Sequence, residues 1–410
     1  MTQKKTIWII NQYASTPETG MVGRHYYFAK TLAKSGYEVY LVGASFTHLL
    51  RTPPILESGF KFEQIESSLH FVWVKMPRYV NAHSKQRIAN WFLFAWRILA
   101  LKNILPKPDV ILYSSPSLVG YLGAEKLAKE LNVPLAFEVR DIWPLTLCEL
   151  GGYSKTHPFI RLLQWIEIRA YKNSNYVLSN LKNSYRHMQS HGMDPKKFTW
   201  IPNGFLKEGV EGVDALEQHT LDQLPKDKFV IGYAGTLGIA NALDSLIKAA
   251  SQLQQYSDIA FVIVGQGQIK SDLQKQVTDL KLQNVYFVDA IPKKQIQSLL
   301  QLFDVCYIGL TKDPLFRFGV SPNKLFDYLY AGKPVIYAID SGDYTPVTDA
   351  HAGIQIEPEN VSQIVEAVLE IYNLTPDMRE TMGRNGHNEV INMYEYSSLT
   401  KKLSFTLFGD

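Results

Sequence analysis

The stretch FRFGVSPNKLFDYLYAGKPVI, residues 316–336, contains a glycine-rich turn, an amphipathic helix and a buried strand in immediate succession. The helix carries Lys324 and Asp327 near its start. Backbone N–H groups at a helix N-terminus favour an anion, and a lysine beside them adds positive charge. A carboxylate one turn later accepts hydrogen bonds from sugar hydroxyls. The stretch therefore predicts an α/β junction that binds a ligand with phosphate at one end and a sugar at the other.

Strand-like runs alternate with amphipathic helices along the chain, a pattern typical of parallel α/β sheets. In the first half, strands are predicted over 6–11, 38–44, 71–76, 109–114, 135–141 and 176–180. After an irregular polar stretch, strands are predicted over 229–235, 259–265, 285–291, 304–310 and 334–339. Helices are predicted over Arg24–Lys34, Ser117–Leu131, Ala242–Leu253 and, at the end of the chain, 394–410.

These elements predict two domains, residues 1–205 and residues 206–393, each built on its own parallel sheet. The length of 410 residues agrees with two domains of ordinary size. Open parallel sheets bind ligands at the carboxyl ends of their strands, and we expect the two domains to face each other across a cleft there. Candidate functional residues are therefore sought in the loops that follow the strands.

Charge and short motifs exclude several classes of protein. A net charge of +3 is too small for a nucleic-acid-binding protein, which carries a clustered basic face. Cys148 and Cys306 are far apart in the sequence and lack the spacing of metal ligands. Lys270 stands where a dinucleotide fingerprint has its third glycine, and neither a P-loop nor a D-x-D motif occurs. We therefore expect that the protein requires neither a metal nor another cofactor. Cationic side chains and helix N-termini would neutralise bound phosphates.

Loops that follow predicted strands contain three groups of candidate residues. The groups are Gly23-Arg24-His25, Arg140-Asp141-Ile142-Trp143-Pro144 and Gly235-Thr236-Leu237-Gly238. Glycines let a ligand approach the backbone closely, although glycine loops without a ligand are common. Arg140 and Asp141 can neutralise phosphate and orient hydroxyls, and a salt-bridged strand end is the alternative interpretation. Thr236 adds a hydroxyl to the N–H groups of the helix that follows.

The segment Ser84–Leu105 mixes aromatic residues with cations. Its aromatic and basic residues are Trp91, Phe92, Phe94, Trp96, Lys85, Arg87, Arg97 and Lys102. Its uncharged run is far shorter than the roughly 20 apolar residues that a membrane span requires. A helix lying at a bilayer surface has this composition. A core helix whose basic residues reach solvent is the alternative interpretation.

Six segments resemble, in order, the motifs of the family GT4 glycosyltransferases of the GT-B fold. The segments are 20–39, 138–144, 201–204, 232–250, 264–267 and 318–336. The subgroup with the greatest resemblance is the WbuB-type N-acetyl-L-fucosaminyltransferases of bacterial surface-polysaccharide synthesis. The resemblance implies a retaining transfer of an acetamido or 6-deoxy acetamido sugar from a UDP-sugar to a glycan acceptor. The first of two Rossmann-like domains would bind the acceptor, the second would bind the nucleotide sugar, and the helix 394–410 would return to the first.

By the same resemblance, Asp327 would hold the ribose hydroxyls, Lys324 would face the diphosphate, and the nucleobase would rest at Ile291. The implied donor-binding residues are Gly235, Thr236, Gly265, Ile291, Arg317, Ser321, Asn323, Lys324 and Asp327. The implied catalytic residues are Arg140, Asp141 and Lys324. The implied acceptor-binding residues are Gly23, Arg24, His25 and Trp143.

Two sites depart from the family pattern. Gly319 stands eight residues before Asp327, where many members have an acidic residue that holds the donor sugar. Thr236 and Asn241 stand where an arginine and a lysine usually clamp the phosphates. A 6-deoxy or acetamido sugar, which needs fewer polar contacts, fits a site without the carboxylate. The cations available to compensate are Lys324, Arg317 and Arg140.

Retention of configuration without an evident carboxylate nucleophile suggests front-face attack, with Asp141 orienting a substrate. Two alternatives stay open. A sugar-nucleotide epimerase would use Asp141 and His25 as acid and base, and a non-catalytic module would only bind a nucleotide sugar. A polyprenyl-diphosphate-linked acceptor would place the protein in the cytoplasm, peripherally on the inner face of the cytoplasmic membrane.

Overall fold

A computed structural model of the protein describes residues 4–20, 23–80, 84–209 and 213–409. The chain forms two α/β units. One consists of Met1–Pro202 with Tyr396–Asp410, and the other is Asn203–Glu395. The sequence placed the corresponding boundaries at residues 205/206 and 393/394.

The sheet of the first unit has the strand order β3-β4-β2-β1-β5-β6-β7-β8. Its strands are β1 Thr6–Ile10, β2 Glu38–Ala44, β3 Phe60–Glu66, β4 Leu69–Val74, β5 Val110–Ser114, β6 Leu135–Val139, β7 Tyr176–Ser179 and β8 Phe198–Trp200. All neighbouring pairs are parallel except β3 with β4. Ser67 and Ser68 alone join these two strands, and so short a turn permits only an antiparallel hairpin.

Helices cover the sheet of the first unit and fill its core. They are α1 Arg24–Lys34, α2 Lys85–Arg97, α3 Val119–Leu131, α4 Leu145–Glu149, α5 Pro158–Asn173 and α6 Ser184–Ser190. The buried side chains of α2, α3 and α5 join those of the strands in one hydrophobic cluster. A Cβ atom on Gly123 would lie 2.2 Å from the carbonyl oxygen of Ala95, so glycine at this position lets α3 pack directly on α2.

The segment Ser84–Leu105 divides its aromatic residues between core and solvent. Trp91 is only 4% exposed, and its ring centroid lies 5.5 Å from that of Trp143 in an edge-to-face contact. Trp96 is 68% exposed on the opposite side of α2. The spacing of the apolar residues therefore turns Trp91 into the core and leaves Trp96 at the surface of the helix. Within the described ranges, no helix is long and apolar enough to cross a membrane.

The sheet of the second unit is parallel throughout and has the order β11-β10-β9-β12-β13-β14. Its strands are β9 Phe229–Ala234, β10 Ile259–Val264, β11 Val285–Val288, β12 Val305–Gly309, β13 Val335–Ala338 and β14 Gly353–Ile356. Its helices are α7 Gln218–Leu221, α8 Leu243–Gln252, α9 Lys270–Asp279, α10 Ile296–Gln301, α11 Asn323–Tyr330, α12 Pro346–Asp349, α13 Val361–Tyr372 and α14 Pro376–Glu389.

The last helix, α15 Tyr396–Phe408, packs against the first unit. Tyr396 makes an edge-to-face contact with Phe28 of α1, with ring centroids 5.1 Å apart. Phe408 stacks on Tyr37 at 5.0 Å. The predicted fold class is confirmed: two α/β units on parallel sheets, with a C-terminal helix that returns to the first.

Candidate functional site

In the second unit the winding of the sheet changes direction between β9 and β12. Strands β10 and β11 lie on one side of β9, and β13 and β14 lie beyond β12. Ligands of open parallel sheets bind outside the carboxyl ends of the strands at such a switch point. The loop after β9 contains Gly235 and Thr236, and the segment between β12 and β13 contains α11 with Lys324. The fold therefore brings these two predicted groups to one place.

The ammonium group of Lys324 is held in a fixed position. Its Nζ donates hydrogen bonds to the hydroxyl of Tyr233 at 2.7 Å and to Oδ1 of Asn241 at 2.8 Å. It also lies 4.3 Å from the centroid of the Tyr233 ring. Burial lowers the pKa of Lys324 to about 8. A cation that is already oriented and partly stripped of water interacts strongly with an incoming anion.

Two glycines let the neighbouring loops touch. A Cβ atom on Gly265 would lie 1.9 Å from the carbonyl oxygen of Gly235, and Gly265 has a φ of +149°. A Cβ atom on Gly235 would lie 3.2 Å from Nζ of Lys324. Glycine at position 265 therefore allows the two loops to touch, and glycine at position 235 keeps side-chain atoms away from the lysine. Thr236 is exposed next to them, and its carbonyl oxygen accepts hydrogen bonds from Tyr233 and Asn241.

Asp327 lies one turn after Lys324 on α11. Burial raises the pKa of Asp327 to about 6, and the charge of Lys293 opposes this shift. The carboxylate is therefore ionised at neutral pH, at the cost of lost hydration. Ile291, which precedes Pro292 and Lys293, is partly buried. The ionised carboxylate of Asp327 can accept hydrogen bonds from the hydroxyl groups of a ligand.

The other predicted donor-binding residues lie before or at the start of α11. Arg317 is exposed, stacks over the Phe318 ring at 4.4 Å and donates to the carbonyl oxygen of Pro314. The hydroxyl and carbonyl oxygens of Ser321 both accept hydrogen bonds from Asn203, each at 3.0 Å. Asn323 is exposed as the first residue of α11. Ser321 is thus held by Asn203, which was not among the predicted site residues.

The backbone conformation at position 319 explains why a glycine, and not an acidic residue, occurs there. Gly319 adopts a φ of +98°, a region that favours glycine and strains other residues. An acidic residue could not occupy this position without a change of the backbone. The departure from the family pattern is therefore part of the local conformation.

In the first unit, the change of winding lies between β1 and β5. Here four buried polar side chains form one network. Glu138 accepts from Nη2 of Arg24 at 2.9 Å, from Nε2 of His25 at 2.9 Å and from Oγ of Ser114 at 2.6 Å. Arg24 also donates to the carbonyl oxygen of Ile201 at 2.9 Å. The contacts of Arg24 and His25 are directed into the unit.

The charges of this network are balanced inside the protein. Burial alone would raise the pKa of Glu138, but the charge of Arg24 and the hydrogen bond from His25 hold it well below its usual range. Burial lowers the pKa of His25, and Glu138 only partly offsets that effect. His25 is therefore neutral at neutral pH. One ring nitrogen of His25 contacts both Ser114 and Glu138, which differs from a Ser-His-acid triad, where opposite nitrogens are used.

Arg140 and Asp141 follow β6 at the same edge of the sheet. The backbone N–H of Arg140 donates to Oγ of Ser115 at 2.8 Å. The Nε of the Arg140 side chain is buried and makes no hydrogen bond to any described residue. The side chain of Asp141 is exposed. Neighbouring protein atoms remove part of its hydration and raise its pKa, and Arg140 opposes this shift. Trp143 is partly buried against Trp91. The salt-bridged strand end that was the alternative interpretation is not formed by described residues.

The loop before α1 is only partly described. Met21 and Val22 of the predicted glycine loop lie outside the described residues. At Gly23 a Cβ atom would have no described atom within 4 Å. Gly23 is therefore not packed against the described residues, whereas Arg24 and His25 are buried.

Family models match both halves of the chain. Residues 20–205 match the model described as Glycosyltransferase Family 4, and residues 216–389 match the model described as Glycosyl transferases group 1. The chain is a GT4-type glycosyltransferase. Both matched models describe transferases, so neither the epimerase nor the non-catalytic module is supported.

Relatives and solved structures agree with this family. The glycosyltransferase is 26% identical over 306 residues to WcaI of Escherichia coli (strain K12), assigned to colanic acid biosynthesis as a glycosyl transferase, with 72% of each chain covered. It is similar in structure to sucrose-phosphate synthase from Thermosynechococcus elongatus, with a TM-score of 0.69, 14% identity and 98% of each chain covered. Anabaena HepE in complex with UDP-glucose has a TM-score of 0.63 and 15% identity, covering 99% of this chain and all of that one. The likeness to these structures supports the GT-B fold.

Proposed function

We propose that this glycosyltransferase moves an acetamido or 6-deoxy acetamido sugar from a UDP-sugar to a polyprenyl-diphosphate-linked glycan in bacterial surface-polysaccharide synthesis, with retention of configuration. The observation that carries the proposal is the anchored Lys324 beside Gly235 at the start of α11. WcaI is assigned to colanic acid biosynthesis, and HepE was solved with UDP-glucose. A closer relationship to the WbuB-type subgroup stays a prediction.

The second unit supplies the donor site in this proposal. The diphosphate would lie against Lys324 and the N–H groups at the start of α11, where the helix dipole favours an anion. Asp327 would receive the ribose hydroxyls, and the nucleobase would lie at Ile291. The phosphates would lie against the loops that contain Gly235, Thr236 and Gly265. Arg317, Ser321 and Asn323 would shape the segment that leads into the helix.

Departure of the nucleotide is the costly part of the reaction, because negative charge grows on the diphosphate as its bond to the anomeric carbon breaks. A preorganised ammonium group and fixed N–H groups stabilise that charge. The acceptor oxygen would form the new bond on the same face of the sugar, and its proton would pass to the departing phosphate oxygen. In this proposal the cation is Lys324, and no metal and no other cofactor is needed.

The first unit supplies the acceptor site in this proposal. Asp141, exposed after β6, and Arg140 would orient the acceptor or the donor sugar, with Trp143 and Gly23 as further contact points. Arg24 and His25 receive a different role from the one expected from the sequence. Their contacts with Glu138 suit them to positioning the β1–α1 and β6 loops.

The experiment that tests the function incubates the protein with a panel of UDP-sugars and polyprenyl-diphosphate-linked acceptors, with EDTA present. Mass spectrometry of the acceptor and NMR of the product's anomeric centre are the measurements. We expect transfer of an acetamido sugar with retained configuration. UDP-sugar isomerisation without transfer, an inverted product or a requirement for added Mg²⁺ or Mn²⁺ would contradict the corresponding part of the proposal.

The affinity for UDP is expected to be highest between about pH 6 and pH 8, because the pKa of Asp327 is about 6 and that of Lys324 is about 8. Above pH 8, Lys324 loses its charge and its attraction for the diphosphate. Below pH 6, Asp327 is protonated and binds ribose hydroxyls less strongly. Calorimetry from pH 5 to pH 9 measures both limbs, and uridine should show only the acid limb. Equal UDP affinity at about pH 7 and pH 9 would exclude Lys324 from the phosphate site.

We propose peripheral membrane contact through the exposed side of α2, where the spacing i, i+7 and i+11 places Lys85, Phe92 and Trp96 on one face of the helix. Lys102 pairs with Glu130 at 2.7 Å and Arg97 donates to the carbonyl oxygen of Lys75, so both cations are already engaged. Each cation near an anionic surface contributes about 1 kcal/mol, and an exposed tryptophan favours the interface.

Replacing Lys85 with glutamate and Trp96 with serine should therefore reduce binding to anionic vesicles by about fivefold or more. Co-sedimentation at low salt is the measurement, and binding should fall as salt rises. Phe405→Ser is the control, since Phe405 is 68% exposed on α15. Equal sedimentation of the double variant and the wild type would exclude this surface.

A further inference from the structure

Three side chains with metal-ligating atoms meet between α5 and α6, in a part of the first unit that the proposed reaction does not use. They are Glu167 on α5 and His187 and His191 at the end of α6. One ligand atom from each lies within 4.8 Å of the other two. The helix α6 begins after the carboxyl end of β7 and runs back along the sheet. Its last turn therefore lies away from the edge that carries Asp141.

Both histidines belong to one turn of backbone. The N–H of His191 donates to the carbonyl oxygen of His187 at 3.2 Å, so the side chains have the i, i+4 spacing of a helix. Their ring centroids are 4.1 Å apart with planes tilted by 31°. Two imidazoles at this spacing on one helix face are a recurrent zinc-binding arrangement.

The tautomer of His191 suits coordination. Its Nδ1 lies 2.8 Å from the carbonyl oxygen of His187. A carbonyl oxygen only accepts, so Nδ1 carries the proton and Nε2 keeps its lone pair. Among the residues that the structure describes, none forms a hydrogen bond with this Nε2. A hydrogen bond from the nitrogen that does not bind the metal to a carbonyl oxygen commonly orients metal-binding histidines.

Glu167 is the strongest element of the cluster. Its side chain is almost fully buried, and Oε1 accepts hydrogen bonds from Nε2 of His187 at 2.8 Å and from the hydroxyl of Tyr171 at 3.0 Å. Within the described ranges, neither a lysine nor an arginine pairs with it. A buried carboxylate is costly without a compensating positive charge, and imidazole supplies that charge only when it is protonated.

We propose that Glu167, His187 and His191 bind a Zn²⁺ ion that joins α5 to α6. Two ligands about 2.0–2.1 Å from zinc in a tetrahedral site lie about 3.3 Å apart. The Glu167–His187 distance of 2.8 Å therefore needs to widen only slightly. Nε2 of His187 coordinates the ion while the ring keeps its proton on the other nitrogen, and water completes the coordination. No metal was predicted from the sequence, and the spacing of His187 and His191 is the sequence signal for this site.

The test titrates metal-free, untagged protein with Zn²⁺ by calorimetry and with Co²⁺ by visible absorption, which reports the geometry of the site. We expect one ion per chain and a tetrahedral Co²⁺ spectrum. His191→Ala and the double variant His187→Ala/His191→Ala should bind about a hundredfold more weakly or not at all. His219→Ala is the matched control, because His219 is exposed on α7 in the other unit, and it should bind like the wild type.

A second readout covers the case in which a variant folds poorly. Zinc at a hundredfold excess over its dissociation constant should raise the unfolding midpoint of the wild type by about 5 °C, and EDTA should remove that rise. The midpoint of the His191→Ala variant should respond to neither. Absence of stoichiometric zinc binding by the wild type, or zinc binding and thermal response that are the same in His191→Ala, would overturn the proposal.

Discussion

Replacing Lys324 with alanine is expected to lower turnover by about 10²–10³-fold while the protein stays folded. The reason is that the charge which Lys324 meets grows as the nucleotide departs, so its contribution is larger in the transition state than with bound donor. Tyr233 and Asn241 already hold its ammonium group, and no reorganisation is needed during the reaction. Initial-rate measurements of sugar transfer, with far-UV circular dichroism of the variant, give the result.

The kinetic signature separates this role from simple donor binding. The KM for the UDP-sugar should change much less than kcat, because the lysine acts mainly on the developing charge. Lys333→Ala is the control, since Nζ of Lys333 donates to the carbonyl oxygen of Gln301 at the surface. Near-wild-type turnover in a folded Lys324→Ala variant would assign the phosphate clamp to Arg317 or Arg140 instead.

Replacing Glu138 with alanine is expected to reduce the free energy of unfolding of the first unit by about 3–5 kcal/mol. The substitution leaves Arg24 buried without its carboxylate and removes an acceptor from His25 and Ser114. All seven tryptophans of the chain belong to the first unit. Tryptophan fluorescence during denaturation by guanidinium chloride therefore reports this unit selectively.

A surface ion pair provides the comparison for this prediction. Glu130 pairs with Lys102 where both side chains are about one-third exposed, and exposed pairs contribute little. Glu130→Ala should leave the denaturation midpoint almost unchanged. A loss below about 1 kcal/mol for Glu138→Ala would show that the buried network contributes little more than a surface pair.

The sequence predicted those elements whose apolar pattern is strong. The helix α1 has the predicted bounds, Arg24–Lys34. Most of the central buried strands lie within the predicted ranges, whereas β4 begins two residues before its predicted range and ends two residues before the predicted end. The edge strands β3 and β14 were not predicted. No residue of FKFEQIE or GIQI is fully buried, because an edge strand is covered less than a central one. The strand β8 has only three residues and is half-buried.

The candidate site likewise contains residues that were predicted from the sequence and residues that were not. Lys324 was predicted from the local loop–helix pattern, whereas its partners Tyr233 and Asn241 are 91 and 83 residues away in the sequence. Only the folded sheet brings these residues together. Glu138 was missed because it lies inside the apolar strand LAFEV, where a single carboxylate has no local signature. Its conspicuous burial and its neighbours Arg24 and His25 become visible only in the structure.

The central claim is that Lys324 meets the diphosphate and Asp327 meets the ribose. The most direct measurement compares UDP, titrated by calorimetry, with uridine, titrated by ligand-observed NMR, in wild type, Lys324→Ala and Asp327→Asn. We predict that Lys324→Ala weakens UDP binding by about tenfold or more without affecting uridine, and that Asp327→Asn weakens both by about tenfold. If wild-type protein did not bind UDP, or if Lys324→Ala weakened uridine as much as UDP, the account would be contradicted.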